Sequence, residues 1–259
     1  MKGIDQAPYS DYIQELQNAL NVNTEARFAA QQLLTLHKAA SLRNDATILE
    51  LGVDRGQSTK VFLNAIADKN NSHLVSVDIR DCSSVSSCKT WQFVQESSIN
   101  VNSIIQSAPV LNNGIDILYV DSLHTFEHVR NEVYSWFPYL NRGCSIFFDD
   151  IDSGPYMRGQ RKDNLYIEQS NRMIHRLILS IFRSNIDLLD LSIMYGSTGL
   201  ANLTKICDKQ ICLRDIHSIP ERHYNIFTRI INRISFRKSY QHTLCDSDSF
   251  LIDVTNFNS

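Results

Sequence analysis

The stretch ATILELGVDRGQST, from Ala46 to Thr59, decides the fold of this chain. Its first part, Thr47 to Leu51, is a short apolar run typical of a buried strand. Gly52 and Gly56 bracket the turn that follows, and Gln57 to Asp68 carries apolar side chains at helical spacing. A strand, a tight glycine turn and a helix in this order predict the first βα unit of an open α/β sheet.

The two glycines of this turn have separate expected roles. One allows a sharp change of chain direction, and the other lets a ligand approach a main chain that has no Cβ atom. Glu50 lies at the carboxyl end of the strand, where open α/β sheets bind their ligands. The spacing is G-x-x-x-G rather than the G-x-G-x-x-G of dinucleotide-binding folds, so the turn alone does not exclude a plain connection.

A second apolar strand, His73 to Asp78, follows and ends on an acid. An acid about 20 residues beyond a glycine loop, at the tip of the next strand, can accept hydrogen bonds from ribose hydroxyls. The alternative for Asp78 is a solvated loop residue next to Arg80 and Asp81. The strand before it favours the ribose role.

The rest of the sheet is predicted from further apolar runs. Strands are expected at 91–98, 115–121 and 144–150, and a helix is expected to run to Leu140 and to end in a turn at Asn141–Gly143. The stretch 155–183 is basic and becomes helical in pattern. Two final runs, 188–194 and 200–206, flank a glycine turn at 195–199, which indicates an antiparallel hairpin.

Four chemically active side chains, those of Asp121, His124, Asp149 and Asp150, follow the fourth and fifth strands. Carboxyl ends of neighbouring parallel strands meet at one edge, so we expect the three carboxylates to converge. Such carboxylates repel one another unless a proton or cation neutralises them, and oxygen ligands suit Mg²⁺, with Mn²⁺ or Ca²⁺ as alternatives. Asp149 and Asp150 as helix caps and a His124–His128 two-histidine site are the competing interpretations.

Two motifs together resemble a known family. E-x-G-x-x-x-G-x-[ST], starting at Glu50, is similar to the first motif of class I S-adenosylmethionine (SAM)-dependent methyltransferases. V-D-x-x-H-x-x-E-x-V, starting at Val120, and the later Asp-Asp pair resemble the metal-dependent small-molecule O-methyltransferases of the macrocin, or macrolide-sugar, type. The resemblance covers about 46–206. It implies a Rossmann-like sheet of seven mostly parallel strands whose last two form the antiparallel hairpin.

The resemblance also implies roles for individual residues. Glu50 would lie near the methionine amine, and Asp78 on the ribose. The cofactor-binding set is completed by Gly52, Gly56 and Ser58 of the loop, by Asp121, and by Ser97 or Ser98 beside the adenine, although Glu96 and Ser97 replace the glycine and acid that relatives have there. Asp121, Asp149 and Asp150 would hold Mg²⁺ or Mn²⁺. His124 and Asp121 are the expected catalytic residues, with His124 as a neutral base near pH 7.

The function predicted from these residues is methyl transfer from SAM to a hydroxyl of a small molecule, a sugar or polyol, which the metal orients. The basic stretch 155–183 favours an anionic acceptor. One alternative is a catalytically silent binding protein on the same fold. A nicotinamide-dependent oxidoreductase is the other, and the missing third glycine and the closing hairpin argue against it.

Composition limits the remaining possibilities. A net charge of −3 argues against a general nucleic-acid binder, and no run approaches the 18 apolar residues of a membrane span. We therefore expect a soluble, cytoplasmic protein, and a homo-oligomer is left open. The six cysteines lack the C-x₂-C spacing of zinc sites and are interpreted as reduced thiols.

Three segments are expected along the chain. Residues 1–45 form a helical preface that packs on the sheet or covers the ligand mouth, with a helix start capped by Asn23 or Thr24. Residues 46–206 form the catalytic domain. The extension 207–259 contains a capping box at Ser218 and a basic amphipathic helix, 221–238, which either packs on the core or contacts a membrane surface or anionic partner.

Overall fold

A computed structural model describes residues 7–22 and 25–216 of the chain. Six helices and seven strands alternate over these ranges. In chain order they are α1 Ser10–Ala19, α2 Glu25–Ser41, β1 Thr47–Leu51, α3 Gln57–Ala65, β2 His73–Asp78, β3 Trp91–Gln95, α4 Val101–Ser107, β4 Ile115–Val120, α5 Phe126–Trp136, β5 Leu140–Phe148, α6 Leu165–Ser184, β6 Leu189–Met194 and β7 Leu200–Lys205.

All seven strands form one sheet in the order β3-β2-β1-β4-β5-β7-β6. β1 to β5 are parallel, and β7 runs antiparallel to both β5 and β6. The predicted fold class, including the closing hairpin, is confirmed. The strand order reverses between β1 and β4, and a crevice at such a switch point is where open α/β sheets bind ligands.

Each face of the sheet carries its own apolar core. Leu49 and Leu51 of β1 point to the face covered by α5 and α6, together with buried residues such as Trp136 and Ile178. Ile48 points to the opposite face, which α1, α2 and α3 cover. Side chains alternate along a strand, so Glu50 lies on the α3 face with Ile48.

The helical preface is part of this second core. Ile13 and Leu16 of α1 and Ala30, Leu36 and Ala40 of α2 are buried against α3 and the sheet. Of the two expectations for these helices, packing on the sheet is the one observed, and one side chain of α2 also reaches the crevice, as described below. The predicted caps Asn23 and Thr24 lie outside the described residues.

The predicted turn at Asn141–Gly143 is wrong, because these residues belong to β5. Helix α5 stops at Trp136, and a 3₁₀ turn containing Pro138 follows, since proline cannot continue the helical hydrogen bonding. The chain then enters β5 directly. Gly143 has a φ of +83°, and the register with β4 shifts between Leu140 and Ser145. This irregularity, not a turn, explains the glycine.

The predicted ends of other elements also need correction. Helix α3 ends at Ala65 instead of Asp68, and β3 ends at Gln95 instead of Ser98. β4 and β5 end at Val120 and Phe148, so Asp121, Asp149 and Asp150 follow the strands rather than close them. Helix α4 was not predicted. Its seven residues are too few for a clear apolar period.

Five cysteines in the described ranges, Cys82, Cys88, Cys144, Cys207 and Cys212, are free thiols. No helix in 7–22 or 25–216 has the length and apolar character to cross a bilayer. The remaining cysteine, Cys245, and the predicted capping box and helix at 218–238 fall outside these ranges.

A buried lysine holds the irregular start of β5. Lys205 of β7 is 0% exposed, and its ammonium donates to the carbonyl oxygens of Phe137 and Leu140, each at 3.0 Å. It also lies 4.4 Å from the centre of the Phe137 ring. Burial lowers the pKa of Lys205, and the two carbonyls and the ring compensate for the lost hydration of the charge.

We predict that Lys205→Met lowers the free energy of unfolding by about 2–4 kcal/mol, because two buried carbonyls lose their donor while the side chain keeps its length. Urea denaturation measures the change. Lys209→Met is the matched control: Lys209 donates to the Asn112 carbonyl at an exposed position, so its loss should change stability by no more than about 0.5 kcal/mol. Equal stabilities for the two variants would contradict the role of Lys205.

Candidate active site

The glycine loop joins β1 to β4 as closely as two backbones can approach. Gly52 has a φ of +97°, and a Cβ atom added there would lie 2.0 Å from the carbonyl oxygen of Asp121. The Gly52 amide donates to the Val77 carbonyl at 2.9 Å, and the Asp121 amide donates to the Leu51 carbonyl at 2.8 Å. Only glycine permits this contact. Asp121 is thereby held directly against the loop.

Gly56 has a structural role at the start of α3. It has a φ of +70° and directly precedes α3, and a Cβ atom there would lie 2.1 Å from the Val85 side chain. Gly56 lines neither cavity, and its predicted part in cofactor binding stays a prediction. Its conformation and the contact with Val85 explain the residue.

Asp78 binds the glycine loop. Its Oδ2 atom accepts from the amides of Val53 at 3.0 Å and Asp54 at 3.3 Å, and its Oδ1 atom accepts from the amide of Arg80 at 2.9 Å. Burial raises the pKa of Asp78, but these amides and the Arg80 charge outweigh that effect and lower it. Oδ2 accepts two amide hydrogen bonds, whereas Oδ1 accepts one and lies 3.6 Å from Arg80 Nε, beyond hydrogen-bond distance, so Oδ1 can also accept from a ligand hydroxyl.

A cavity of about 600 Å³ opens beside Asp78 at the carboxyl edge of the sheet. Five of the predicted site residues line it: Gly52, Asp78, Ser97, Asp121 and His124. Ser98 and His128 line it as well, whereas Glu50, Gly56 and Ser58 do not.

A smaller cavity of about 260 Å³ lies on the other side of Asp121, which lines both. Ser58 and Gln57 at the start of α3 form one wall. Tyr119, Asp121 and Asp149 form another, and Gln32 of α2 and Thr198 of the β6–β7 turn complete it. The small cavity therefore has the positive end of a helix facing two carboxylates.

Glu50 is buried beneath this crevice and does not reach it. It is 0% exposed and accepts hydrogen bonds from Ser58 at 2.6 Å, Thr59 at 2.8 Å and Ser76 at 2.6 Å. Burial raises the pKa of Glu50 to about 7, although the three hydroxyls oppose the shift. Glu50 lines neither cavity, and its expected place near a ligand amine stays a prediction.

His124 lies between two of the predicted acids. Its Nε2 is 3.2 Å from Asp121 Oδ1, and its Nδ1 is 3.3 Å from Asp150 Oδ2. Burial lowers the pKa of His124, but the hydrogen bond to Asp121 and the charges of Asp150, Asp121 and Asp149 raise it overall to about 9. The raised pKa favours the imidazolium in this arrangement, and the neutral base near pH 7 stays a prediction. The imidazolium supplies a positive charge that the carboxylates require.

Tyr119 connects Asp121 to Asp149. Its hydroxyl lies 3.1 Å from Asp121 Oδ2 and 3.0 Å from Asp149 Oδ2. Asp150 follows with a φ of +55°, a conformation uncommon for a residue with a side chain. Burial and the charge of Asp149 raise the pKa of Asp150 to about 6. The four residues predicted to converge do so.

Metal coordination is not preassembled among these side chains. Within 7–22 and 25–216, no group of three or more His, Cys, Asp or Glu residues is arranged to hold a metal ion. The His124 ring lies between Asp121 and Asp150. The donors are carboxylate oxygens, which suit Mg²⁺ chemically, but the geometry required for coordination is absent.

His128 does not pair with His124, which precedes α5 rather than lying on it. Instead, His128 Nε2 lies 3.0 Å from Ser98 Oγ and 3.3 Å from Glu132 Oε1. Glu132 is 0% exposed and also accepts from Ser122. The structure therefore offers no support for the alternative two-histidine metal site among the described residues.

Sequence reasoning missed Tyr119, Gln32, Thr198 and Glu132. Tyr119 had a detectable signal, because it is a polar-tipped residue two positions before Asp121 on the same face of a strand. Gln32 and Thr198 had none. The packing of α2 brings Gln32 to the crevice, and the β6–β7 turn brings Thr198 there. Both residues are far in sequence from the strand ends that form the rest of the site.

We predict that Glu50 makes stability depend on pH. Because its pKa is raised from 4.5 to about 7 by folding, the folded protein binds a proton that the unfolded chain does not bind in that window. The contribution of Glu50 to the free energy of unfolding therefore falls as the pH rises through the window and is constant above it. Glu50→Gln removes this dependence.

Urea denaturation of both proteins at pH 5 and pH 8 tests this prediction. Between pH 5 and pH 8, the free energy of unfolding of the wild-type protein should fall by about 2–3 kcal/mol more than that of Glu50→Gln. The contributions of the other titrating groups cancel in this difference. The exposed Glu127→Gln variant is the control and should behave as the wild type. Parallel pH profiles for wild type and Glu50→Gln would show that Glu50 is not the group responsible.

Comparison with known families identifies the central segment. Residues 49–151, about two fifths of the 259 residues, match the family model described as Methyltransferase domain, Methyltransf_24. This segment is therefore similar to a methyltransferase domain. None of the curated proteins matches the sequence.

Solved structures share the fold at low sequence identity. Cofactor-bound Rv0187 from MTB has a TM-score of 0.55 at 15% identity, over 79% of this chain and 93% of that chain. The SAH-bound Podospora anserina methyltransferase PaMTH1 has a TM-score of 0.53 at 12% identity, over 75% and 86%. MycE of the mycinamycin biosynthetic pathway, in complex with Mg, SAH and mycinamycin VI, has a TM-score of 0.50 at 15% identity, over 84% and 58%.

Proposed function

We propose that this protein is a SAM-dependent O-methyltransferase that acts on a hydroxyl of a small molecule. The observation that carries the proposal is the position of Asp121, which lines both cavities at the switch point of the sheet and contacts His124. A methyl donor and a base would meet there. The methyltransferase domain at 49–151 and the fold shared with SAH-bound PaMTH1 support this function.

The cavities fit an elongated ligand such as SAM. We place the adenosine part in the 600 Å³ cavity, where Asp78 Oδ1 can accept a ribose hydroxyl and Ser97 lines the wall beside the adenine. The amino-acid end would enter the 260 Å³ cavity. Its carboxylate would face the start of α3 at Gln57 and Ser58, and its ammonium would face Asp121 and Asp149.

When bound, SAM supplies an electrophilic methyl group on a positively charged sulfur, which an acceptor oxygen can attack in line. Asp121 fixes the orientation of His124, and His124 takes the proton of the acceptor hydroxyl. His124 must be neutral for this step, although the surrounding carboxylates hold its pKa near 9. Positive charge brought to the carboxylates by ligands lowers that pKa and frees the base.

A divalent cation, Mg²⁺ or Mn²⁺, belongs to the proposal as well. Asp121, Asp149 and Asp150 would hold it, and their oxygen ligands are the supporting observation. Bound there, it would supply charge stabilisation to the acceptor oxygen. His124 stands between Asp121 and Asp150, so holding an ion requires the ring to move aside.

The acceptor is proposed to be a sugar or another polyol. A small acceptor is supported by the size of the crevice, because its two cavities together stay within the range of about 300–1,000 Å³ typical of small-molecule sites and SAM is assigned to both. An anionic acceptor is supported by Lys162, whose charge acts on Asp150 at the mouth of the site. Lys162 is also paired with Glu25 at 3.4 Å, which weakens its attraction for a ligand.

We predict that S-adenosylhomocysteine raises the melting temperature of the protein and that NADH does not, because a ligand of the folded state stabilises it by mass action. Asp78→Asn should weaken S-adenosylhomocysteine binding by about 10–100-fold, since one charged acceptor is lost. Asp81→Asn, at an exposed position on the same loop, should bind as the wild type. Protection by NADH alone would show that the proposed cofactor is wrong.

We further predict that His124→Ala retains S-adenosylhomocysteine binding but lowers methyl transfer by about 10²–10⁴-fold, the usual effect of a lost general base. The measurement is formation of S-adenosylhomocysteine with sugars and polyols, across a Mg²⁺ titration with an EDTA control. His73→Ala, exposed at the opposite end of the sheet, is the matched control.

Each arm of this experiment has a distinct meaning. Undiminished turnover by His124→Ala excludes it as the base, and full wild-type activity in EDTA excludes the metal. Binding of S-adenosylhomocysteine without turnover on any acceptor favours the alternative of a silent binding protein.

A further inference from the structure

Asp149 is held by three hydrogen-bonding contacts in the small cavity. Its Oδ1 accepts from Thr198 Oγ1 at 2.6 Å and from the amide of Asp150 at 2.7 Å, and its Oδ2 lies 3.0 Å from the Tyr119 hydroxyl. These contacts come from three separate elements of the chain. The direction of the Asp149 carboxylate therefore depends on residues outside the acidic cluster.

Thr198 is presented by a tight turn between β6 and β7. Gly196, Ser197 and Gly199 all have positive φ, at +102°, +53° and +80°. Asp152 fixes this turn, because its carboxylate accepts from the Gly196 amide at 2.9 Å and its own amide donates to the Thr198 carbonyl at 2.7 Å. The hydroxyl of Thr198 consequently has a defined place at the wall of the 260 Å³ cavity.

Gln32 joins helix α2 to the same turn. It is 6% exposed, its Nε2 donates to the Gly196 carbonyl at 2.7 Å, and its Oε1 lies 3.2 Å from Thr198 Oγ1. Both residues line the small cavity with Asp149. Gln32 therefore restricts how Thr198 can move. One atom of its side-chain amide bonds the backbone of the turn, and the other contacts the Thr198 hydroxyl.

The cluster has more acceptor oxygens than hydroxyl protons. Thr198 has one hydroxyl proton but lies within hydrogen-bond distance of both Asp149 Oδ1 and Gln32 Oε1. Tyr119 likewise has one proton for Asp121 and Asp149. A site with excess acceptors is completed by a positively charged group, because such a group brings donors or charge without an acceptor of its own.

We propose that Gln32 and Thr198 are positioning residues that direct the Asp149 carboxylate into the small cavity toward a cationic ligand group. This inference rests on the proposed function, which supplies two such groups, the cofactor ammonium and a divalent cation. It makes helix α2 of the preface a working part of the active site. Neither residue is assigned a contact with the acceptor or a chemical step.

The test compares Thr198→Val, which keeps the shape and removes the hydroxyl, with Thr198→Ser, which keeps the hydroxyl. Calorimetry measures the affinity for S-adenosylhomocysteine, and then for Mn²⁺ with S-adenosylhomocysteine bound. Thr198→Val should lower Mn²⁺ affinity by about 10-fold or more, as for other residues that orient a metal ligand. Thr198→Ser should restore it, which a merely structural effect on the turn would not predict.

Two further variants complete the design. Gln32→Met keeps the length of the side chain and removes its amide, so a smaller loss of about 2–10-fold is expected for one hydrogen-bonding partner. Thr204→Val is the control, because Thr204 lies on β7 away from both cavities and contacts Asn202. It should bind both ligands as the wild type, and thermal unfolding without ligand confirms that each variant is folded.

The outcomes separate this inference from the proposed function. If the wild type binds S-adenosylhomocysteine but no Mn²⁺, the metal part of the proposed function is wrong, and the positioning role then requires Thr198→Val to weaken S-adenosylhomocysteine binding. Wild-type affinity of Thr198→Val for every ligand that the wild type binds overturns the inference alone. A wild type that binds neither ligand overturns both.

Discussion

The close approach of the β1 and β4 strand ends is the constraint on which the rest of the site depends. A side chain at Gly52 would place its Cβ 2.0 Å from the Asp121 carbonyl oxygen, so the contact exists only because position 52 is glycine. This contact fixes the glycine loop against Asp121, which lines both cavities. The amides of the same loop donate to the Asp78 carboxylate. The crevice is thus held by backbone contacts and by the buried Asp78 carboxylate.

Burial of negative charge is the second theme of the structure. Glu50, Asp121, Asp149 and Asp150 lie on or just beneath one edge of the sheet, and hydroxyl groups and one imidazole compensate for them. Glu50 is served by three hydroxyls and is remote from ligands, whereas Asp121 and Asp149 share a single tyrosine proton. The difference separates a structural acid from acids that are still available to a cationic ligand.

Prediction from the sequence succeeded where local pattern and packing agree. The buried strands β1 and β2 were placed to the residue, because a parallel strand covered on both faces is largely apolar. It failed at Asn141–Gly143, where a glycine after a helix suggested a turn. There Pro138 had already ended the helix, and Lys205, 65 residues from Leu140, holds the carbonyls at the entry to β5. The short helix α4 carried too little pattern to be recognised.

The sequence by itself determined the fold class, the glycine loop and the acids that would converge, because strand periodicity, glycine spacing and the polar residue after each strand are local properties. Tertiary structure alone decided which of those acids face a cavity. The alternation of side chains along β1 turns Glu50 toward α3, and hydroxyls from α3 and β2 enclose it. It also decided that His124 lies between Asp121 and Asp150, whose charges raise its pKa, and that Thr198, held by Gln32, reaches Asp149. A pKa and a hydrogen-bond partner depend on the atoms that packing brings within a few ångströms, and residues more than 100 positions apart in the chain carry no local signal of that proximity.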